Sequence, residues 1–151
     1  MLVEELGFDA AVDYKAGELY DQLRKQTPDR VDVFFDNVGG TVLDTGLTRI
    51  GRGARVVICG AISNYNATTP SPGPSNYLAL LVERASMTGF VVADYASRFQ
   101  AAITDLAGWI NEGRLRSIED TVAGDIEIFP STLARLFAGQ NTGKLALQLK
   151  E

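Results

Sequence analysis

Short apolar runs bounded by turn residues recur along the chain. Runs of this length and composition are typical of buried strands in a mainly parallel sheet. One segment near the end of the chain instead alternates apolar and polar residues, which predicts a half-exposed strand. Six strands are predicted: Ala10–Tyr14, Val31–Asp36, Arg55–Cys59, Met87–Val92, Ile118–Val122 and Lys144–Leu149.

Segments with helical periodicity separate these runs. Ala96–Asn111 is the most amphipathic of them, because its apolar residues recur on one face at helical spacing. Gly113 and Gly139 stand where they would close two of the helices, and Pro130 lies near the start of another. The predicted helices are Glu18–Gln26, Thr41–Ile50, Tyr77–Arg84, Ala96–Asn111 and Ser131–Ala138, and Leu2–Phe8 is expected to be the last turn of a further helix.

Alternating strands and helices predict an α/β fold with a mainly parallel sheet, in which ligands bind at the carboxyl ends of the strands. Two strand exits, Asp36–Gly40 and Cys59–Ser63, carry Gly and Ala where a ligand would press on the backbone. Gly51–Gly53 is expected to be a turn before the third strand. Ser63–Asn76 is rich in Pro, Ser and Asn and is expected to be a long ordered loop or a mobile lid.

The amino-acid composition excludes several kinds of catalytic site within this chain. The chain has 151 residues, of which 46% are hydrophobic and 22% charged, as in an ordinary globular domain. It has no histidine and one cysteine, which rules out a Ser-His-Asp or Cys-His pair and a zinc site built from Cys and His within this chain. Catalysis must therefore rest on a bound cofactor, on Tyr or Lys, or on residues outside this chain.

Charge and hydropathy also bear on partners and location. The net charge of −5 argues against nucleic acid as a partner, because an acidic surface repels phosphate. No apolar run approaches the roughly 20 residues that a membrane helix needs. A single cysteine leaves no internal disulfide and suits the cytoplasm. We therefore expect a cytoplasmic protein that binds neither nucleic acid nor membrane.

Four motifs occur in one order along the chain: Phe35–Gly40, Val57–Asn66, Gly89–Val92 and Gly139–Lys144. In this order and spacing they resemble the zinc-independent branch of the medium-chain dehydrogenases/reductases that contains prostaglandin and alkenal double-bond reductases and bacterial curcumin reductase. The resemblance extends along essentially the whole chain. It implies NADP as cofactor and the transfer of a hydride to the β-carbon of an α,β-unsaturated ketone or aldehyde.

The resemblance also implies a role for particular residues. Tyr14 matches a position near the adenosine ribose and its 2′-phosphate, and Asn37 matches one beside the cofactor. The segment Cys59, Gly60, Ala61, Ile62, Ser63, Asn64 and Tyr65 matches the loop under the pyrophosphate and nicotinamide ribose. Phe90, Val91 and Val92 match the strand that meets the nicotinamide carboxamide, and Asn141 matches a late cofactor contact. No metal ligand is implied.

The proton donor is less well defined. Some relatives place a tyrosine at the position of Val82, where it is proposed to help the enolate. Tyr65 and Tyr77 are the nearest hydroxyl-bearing residues here and are the candidate catalytic residues. A hydroxyl that donates to the developing enolate oxygen would lower the barrier to hydride transfer.

Each motif has a purely structural interpretation as well. Asn37 could cap a helix in an ordinary strand-to-helix turn, and Asn141 could serve an ordinary loop. Cys59 could be a small buried residue, and Tyr14 a strand-end aromatic. Phe90–Val92 could belong to the core and to the cofactor wall at once.

The resemblance implies a partial doubly wound, Rossmann-type sheet that lacks its first strands. Residues 1–116 would be the partial nucleotide-binding domain, and residues 117–151 a C-terminal segment that packs on the sheet and on a substrate domain. The glycine-rich phosphate turn and the basic residue for the 2′-phosphate are expected upstream of Met1. Unpaired strand edges are then expected to leave the chain marginally stable, to pair differently or to associate with another copy. The resemblance implies a homo-oligomer through the strand that contains Gly89–Val92. An inactive nucleotide-binding or oligomerising remnant, and a quinone reductase of the same superfamily, remain alternatives.

Overall fold

The computed structural model describes residues 1–65, 67–69 and 72–149. These fall into two units, Met1–Ala96 and the residues from Ser97 onward. The functional division predicted from the sequence, between residues 116 and 117, stays a prediction, because the compactness of a unit does not test which residues serve a cofactor.

The first unit is a three-stranded parallel sheet with helices. Its helices are α1 (Leu19–Gln26), α2 (Gly40–Leu47) and α3 (Leu78–Glu83), and its strands are β1 (Val31–Asp36), β2 (Ile50–Ile58) and β3 (Ser86–Gly89). The strand order is β1-β2-β3, and both pairings are parallel. The predicted α/β class with a mainly parallel sheet is therefore confirmed.

A small apolar core holds α2 and α3 against one face of this sheet. Leu47, Ile50, Ala54 and Val56 are almost fully buried. Partly buried side chains from β1, α2 and α3 pack around them, among them Phe34, Leu43 and Leu80. The side chains that reach this core from β2 alternate along the strand, as expected when one face of a sheet is covered. The run Val31–Asp36 is a strand with the bounds that the sequence predicts.

The predicted turn at Gly51–Gly53 is wrong, because these residues belong to β2. The helix predicted over Thr41–Ile50 accordingly ends at Leu47. Val31 pairs with Ile50 and Val33 pairs with Arg55, so β2 carries extra residues that bulge out of the ladder. Gly53 lies within this bulge at φ 75°, a conformation that glycine adopts at little cost.

Two other strand predictions also fail. Ala10–Tyr14 is not a strand, because no described strand lies beside it to complete a ladder. The strand predicted over Met87–Val92 ends at Gly89, and an irregular 3₁₀ segment follows over Val92–Arg98. Its partner β2 ends at Ile58, so pairing stops after the Phe90 N–H donates to the Ile58 carbonyl at 2.9 Å. Cys59 likewise lies just beyond β2.

The loop predicted over Ser63–Asn76 includes a short 3₁₀ turn, Ile62–Asn64, that overlaps its start. Asn66, Pro70 and Ser71 lie outside the described residues. Met1–Phe8 forms a turn in which the Gly7 N–H donates to the Val3 carbonyl at 3.2 Å, with Gly7 at φ 73°. The expected glycine-closed helical turn is therefore present.

The described residues of the second unit form two α-helices and a pair of parallel strands. These are α4 (Phe99–Asn111), β4 (Glu119–Gly124), α5 (Phe129–Phe137) and β5 (Lys144–Leu149), with β4 beside β5. Both helices close with glycine as predicted. The Arg114 N–H donates to the Trp109 carbonyl at 2.8 Å beyond Gly113, and the Gln140 N–H donates to the Arg135 carbonyl at 3.0 Å beyond Gly139.

Candidate functional site

The loops that follow β1 and β2 are joined to each other by backbone hydrogen bonds. The Asp36 carbonyl accepts the N–H groups of Cys59 at 2.8 Å and Gly60 at 3.2 Å. Further along, the Ile62 N–H donates to the Asn37 carbonyl at 3.3 Å, and the Ser63 N–H donates to the Val38 carbonyl at 3.0 Å. The two strand exits singled out in the sequence thus form one structure at the carboxyl edge of the sheet.

The Asp36 side chain organises the first of these loops. Its carboxylate is 1% exposed and accepts the N–H groups of Val38 at 3.0 Å and Gly39 at 3.0 Å and 3.1 Å. Asp36, and not Asn37, therefore satisfies the donors ahead of α2. The sequence prediction did not include Asp36 among the site residues. The sequence does contain a pattern that could have identified Asp36: an aspartate that precedes, by two and three residues, the N–H groups of Val38 and Gly39 in a Gly-rich turn.

The small residues of the two loops are required by their contact with each other. Gly39 and Gly40 have φ of 71° and 52°. A Cβ on Gly39 would lie 3.2 Å from the Ala61 Cβ, and a Cβ on Gly40 would lie 3.0 Å from the Ser63 Oγ. A Cβ on Gly60 would lie 3.2 Å from the Asn37 carbonyl oxygen. Close packing thus accounts for glycine at positions where the sequence alone suggested the approach of a ligand.

The joined loops form one side of a cleft of about 680 Å³ at the carboxyl ends of β1 and β2. Four of the predicted cofactor-binding residues line it: Gly60, Ala61, Ser63 and Asn64. The start of α2 and the segment Pro72–Ser75 line the rest. No Lys or Arg is among the described lining residues, and the two acidic residues there are Asp36 and Asp44.

Asp44 links α2 to the end of the long loop. Its carboxylate accepts the Ser75 hydroxyl and the Asn76 N–H, and its carbonyl accepts the Asn76 side-chain amide. The pKa of Asp44 is lowered below its usual 3.8, first by the hydrogen bond from the Ser75 side chain and also by Asn76, while desolvation opposes the shift. Sequence analysis missed this residue, because its partners are 31 and 32 positions away.

The remaining predicted residues near the loop are exposed or engaged through their backbone. Asn37 and Cys59 take part in the junction described above through their main chains. Ile62 is 61% exposed, and the candidate catalytic residues Tyr65 and Tyr77 are also largely exposed. Tyr77 immediately precedes α3, and its carbonyl accepts the Leu80 N–H.

Phe90 belongs to an aromatic cluster beside the end of β3. Its ring meets the edge of Phe35 at a centroid distance of 5.8 Å and stacks on Tyr95 at 5.1 Å. Val91 and Val92 are exposed. A cofactor-wall role for these three residues stays a prediction.

Neither Tyr14 nor Asn141 is among the residues that line the cleft. Tyr14 borders an apolar groove of about 170 Å³ together with side chains of α1, β1 and α2, and the Lys15 amine lies 5.9 Å from the centre of its ring. Asn141 belongs to the second unit, where its side-chain amide donates to the Gly143 carbonyl at 2.8 Å. Their cofactor contacts stay predictions.

No group of three or more His, Cys, Asp or Glu residues in the described part of the chain is placed to hold a metal ion. Among the same residues, no helix has the length and apolar character needed to cross a membrane.

The chain matches the zinc-binding dehydrogenase family over residues 1–108, which include the whole cleft. The chain belongs to this family. Its relatives include rat (Rattus norvegicus) prostaglandin reductase 1, with 39% identity over 94% of the chain and 44% of the relative. The NADPH-dependent curcumin reductase of Escherichia coli is 34% identical over 97% of the chain and 44% of the relative.

Solved structures agree with the fold. CurA of Vibrio vulnificus, crystallised in complex with NADPH, is 35% identical, with a TM-score of 0.86 over 98% of this chain and 45% of that chain. An NAD-dependent alcohol dehydrogenase at 21% identity, with a TM-score of 0.71, shows the fold alone. The predicted resemblance to curcumin and prostaglandin reductases is confirmed. This chain spans less than half the length of the curated relatives it matches.

Proposed function

We propose that this chain is the cofactor-binding part of an NADPH-dependent reductase of α,β-unsaturated ketones or aldehydes. The observation that carries the proposal is the cleft at the ends of β1 and β2, in a chain that is 35% identical to a protein crystallised with NADPH. Ligands of open parallel sheets bind at this edge. Relatives that are curcumin, prostaglandin and alkenal reductases support the reduction of an unsaturated ketone or aldehyde as the reaction.

The lining of the cleft fits the uncharged parts of a dinucleotide better than its phosphates. Its volume lies within the range usual for small-molecule sites, and Ser63 and Asn64 offer polar groups beside the small Gly60 and Ala61. Asp36 and Asp44 already accept hydrogen bonds from the protein, and no basic side chain is among the described lining residues. We therefore assign the sugar and amide portions to this cleft, and the adenosine end to the neighbourhood of Tyr14 and Lys15.

NADPH, when bound, supplies the hydride. The protein must then stabilise negative charge that develops on the carbonyl oxygen of the substrate, and a hydroxyl donor does this. The phenols of Tyr65 and Tyr77 are 75% and 57% exposed, which leaves both accessible to a substrate. In this proposal the hydroxyl of one of them donates a hydrogen bond to that oxygen, and the chain works without zinc, since it has no histidine and only one cysteine.

The first test is NADPH binding to the chain, measured by calorimetry with NADH as comparison. We expect a dissociation constant weaker than about 100 μM, because the described cleft provides no cation for the phosphates. Backbone amide shifts in NMR should locate this weak binding at Gly40, Gly60, Ala61 and Ser63. Micromolar affinity would show that the cleft binds the phosphates after all, and would contradict their assignment to residues outside it. If the amide signals of these loops did not shift on addition of NADPH, the proposed site would be wrong.

A matched pair of substitutions makes this test specific. Ala61→Leu adds a branched side chain to the lining of the cleft and is expected to abolish the amide shifts. Ala102→Leu, at an exposed position on α4, is expected to leave them unchanged. Equal shifts in both variants would place the ligand elsewhere.

We also propose that the protein is cytoplasmic and forms a homo-oligomer through β3. Every residue of β3 is exposed, and the strand lies at the edge of its sheet. Open edges pair readily, and a lysine on the edge blocks pairing.

Sedimentation is expected to give twice the chain mass of 16.3 kDa, and Thr88→Lys is expected to give the monomer. Thr104→Lys, on α4, is the control and should remain a dimer. A monomeric unsubstituted chain would contradict this contact, and so would a Thr88→Lys dimer as stable as that of Thr104→Lys.

A further inference from the structure

We propose that Asp44 is a positioning residue of the cleft, which holds the wall formed by Pro72–Ser75 at a fixed distance from α2. The inference rests on the proposed function, because it concerns the cleft in which we place part of the cofactor. It assigns a role to a residue that binds no ligand itself.

One aspartate makes all of the described hydrogen bonds across this junction. The Ser75 hydroxyl donates to Oδ2, and the Asn76 N–H donates to Oδ1 at 2.7 Å. The Asn76 side-chain amide donates to the main-chain carbonyl of Asp44 at 3.1 Å. Both carboxylate oxygens and the carbonyl are therefore used, and two consecutive residues of the loop are held to one residue of α2.

The place of this junction makes it a determinant of the shape of the cleft. Pro72–Ser75 lines one side of the cleft, and Gly40 and Leu43 of α2 line another. Pro74 directly precedes Ser75, and because proline has a nearly fixed φ, the direction of the chain at Pro74 follows the point at which Ser75 is anchored. That anchor is the Asp44 carboxylate. Since α3 begins at Leu78, the anchored segment has little free chain on its C-terminal side.

The ionised form of Asp44 is the one that serves this role. Its pKa is lowered, chiefly by the Ser75 hydrogen bond, so the bonds favour the carboxylate over the acid. A lowered pKa in the folded state stabilises the junction above the unfolded value of 3.8, and this stabilisation is lost as the pH falls through the folded value. The contribution of the carboxylate to the junction is thus fully present at neutral pH and is lost only in acid, as the pH falls below 3.8.

Amide hydrogen exchange on the full chain without cofactor tests the junction directly. We expect the Asn76 N–H to be protected in the unsubstituted chain and to exchange about tenfold faster, relative to its intrinsic rate, in Asp44→Ala. Ser75→Ala removes one bond and should have a smaller effect. Asp21→Ala, at an exposed position on α1, is the control and should leave the protection of Asn76 unchanged. Equal protection in Asp44→Ala and the unsubstituted chain would overturn the inference.

NADPH affinity by NMR titration then separates positioning from a merely structural role. Asp44→Ala is expected to weaken binding about tenfold. Asp44→Asn, which keeps one acceptor oxygen, should recover part of the loss. If Asp44→Ala loses the protection of the Asn76 N–H but binds NADPH as tightly as the unsubstituted chain, the positioning role is wrong. If no variant and no unsubstituted chain binds NADPH, the proposed function fails, and hydrogen exchange alone decides whether Asp44 holds the wall.

Discussion

Asp36→Ala is expected to lower the free energy of unfolding of the first unit by about 2 to 4 kcal/mol. The carboxylate is 1% exposed and accepts the N–H groups of Val38 and Gly39. Its removal leaves one buried and one half-buried backbone donor without an acceptor, and an unsatisfied donor costs more than the bond contributes when it is made. The turn that follows Asp36 is hydrogen-bonded to the loop that follows β2. The variant should therefore also lose the NADPH-induced changes in the amide chemical shifts of Gly60 and Ser63.

Asp32→Ala is the matched control for this substitution. Asp32 lies on the same strand, is exposed, and has no described hydrogen bond through its side chain, so its removal should cost less than about 0.5 kcal/mol. Cys59 is the only cysteine of the chain and its N–H is bonded to the Asp36 carbonyl, so its rate of thiol labelling in denaturant reports on this unit. Similar labelling midpoints for the two variants would refute the role given to the Asp36 carboxylate.

Elements that are determined by their own residues could be predicted from the sequence. The run Val31–Asp36 is bounded by turn residues on both sides, and its predicted ends are those observed. The helix ends at Gly113 and Gly139 were also predictable, because a left-handed residue after a helix favours glycine whatever surrounds it. The two loops of the cleft were located for a similar reason, since Gly and Ala are frequent where backbones approach closely.

Elements that depend on a partner could not be predicted in this way. A strand extends as far as its neighbour does, so the end of β2 at Ile58 also ends β3, which the apolar pattern extended to Val92. Gly51–Gly53 has the composition of a turn, yet the pairing of Ile50 with Val31 draws it into a bulged strand. Ala10–Tyr14 has the composition of a strand and has no described neighbour.

The same distinction applies to the site. Gly60, Ala61, Ser63 and Asn64 could be assigned to the cleft from a motif, since they are consecutive or nearly so. Asp44 could not, because its hydrogen-bond partners Ser75 and Asn76 are 31 and 32 positions away in the sequence. Long-range hydrogen bonds of this kind leave no periodic signal in a single sequence.

Gly143→Ala is expected to be the most destabilising substitution of a glycine in the second unit, at about 3 kcal/mol. Two costs combine at this position. Gly143 has a φ of 80°, and a Cβ there would lie 2.2 Å from the Ile118 carbonyl oxygen, a backbone atom that cannot rotate away. That oxygen also accepts the Lys144 N–H at 2.8 Å, so moving it disrupts the start of the pairing between β4 and β5.

Gly113→Ala separates the two costs. Gly113 has a φ of 71° in the same unit, but a Cβ there would meet nothing within 4 Å, so only backbone strain of about 1 kcal/mol is expected. Trp109, the only tryptophan, lies on α4, and its fluorescence follows the unfolding of this unit. A difference between the variants near zero would show that Ile118 yields without cost. A difference of about 2 kcal/mol would show that the Ile118 carbonyl is held rigidly against the turn that contains Gly143.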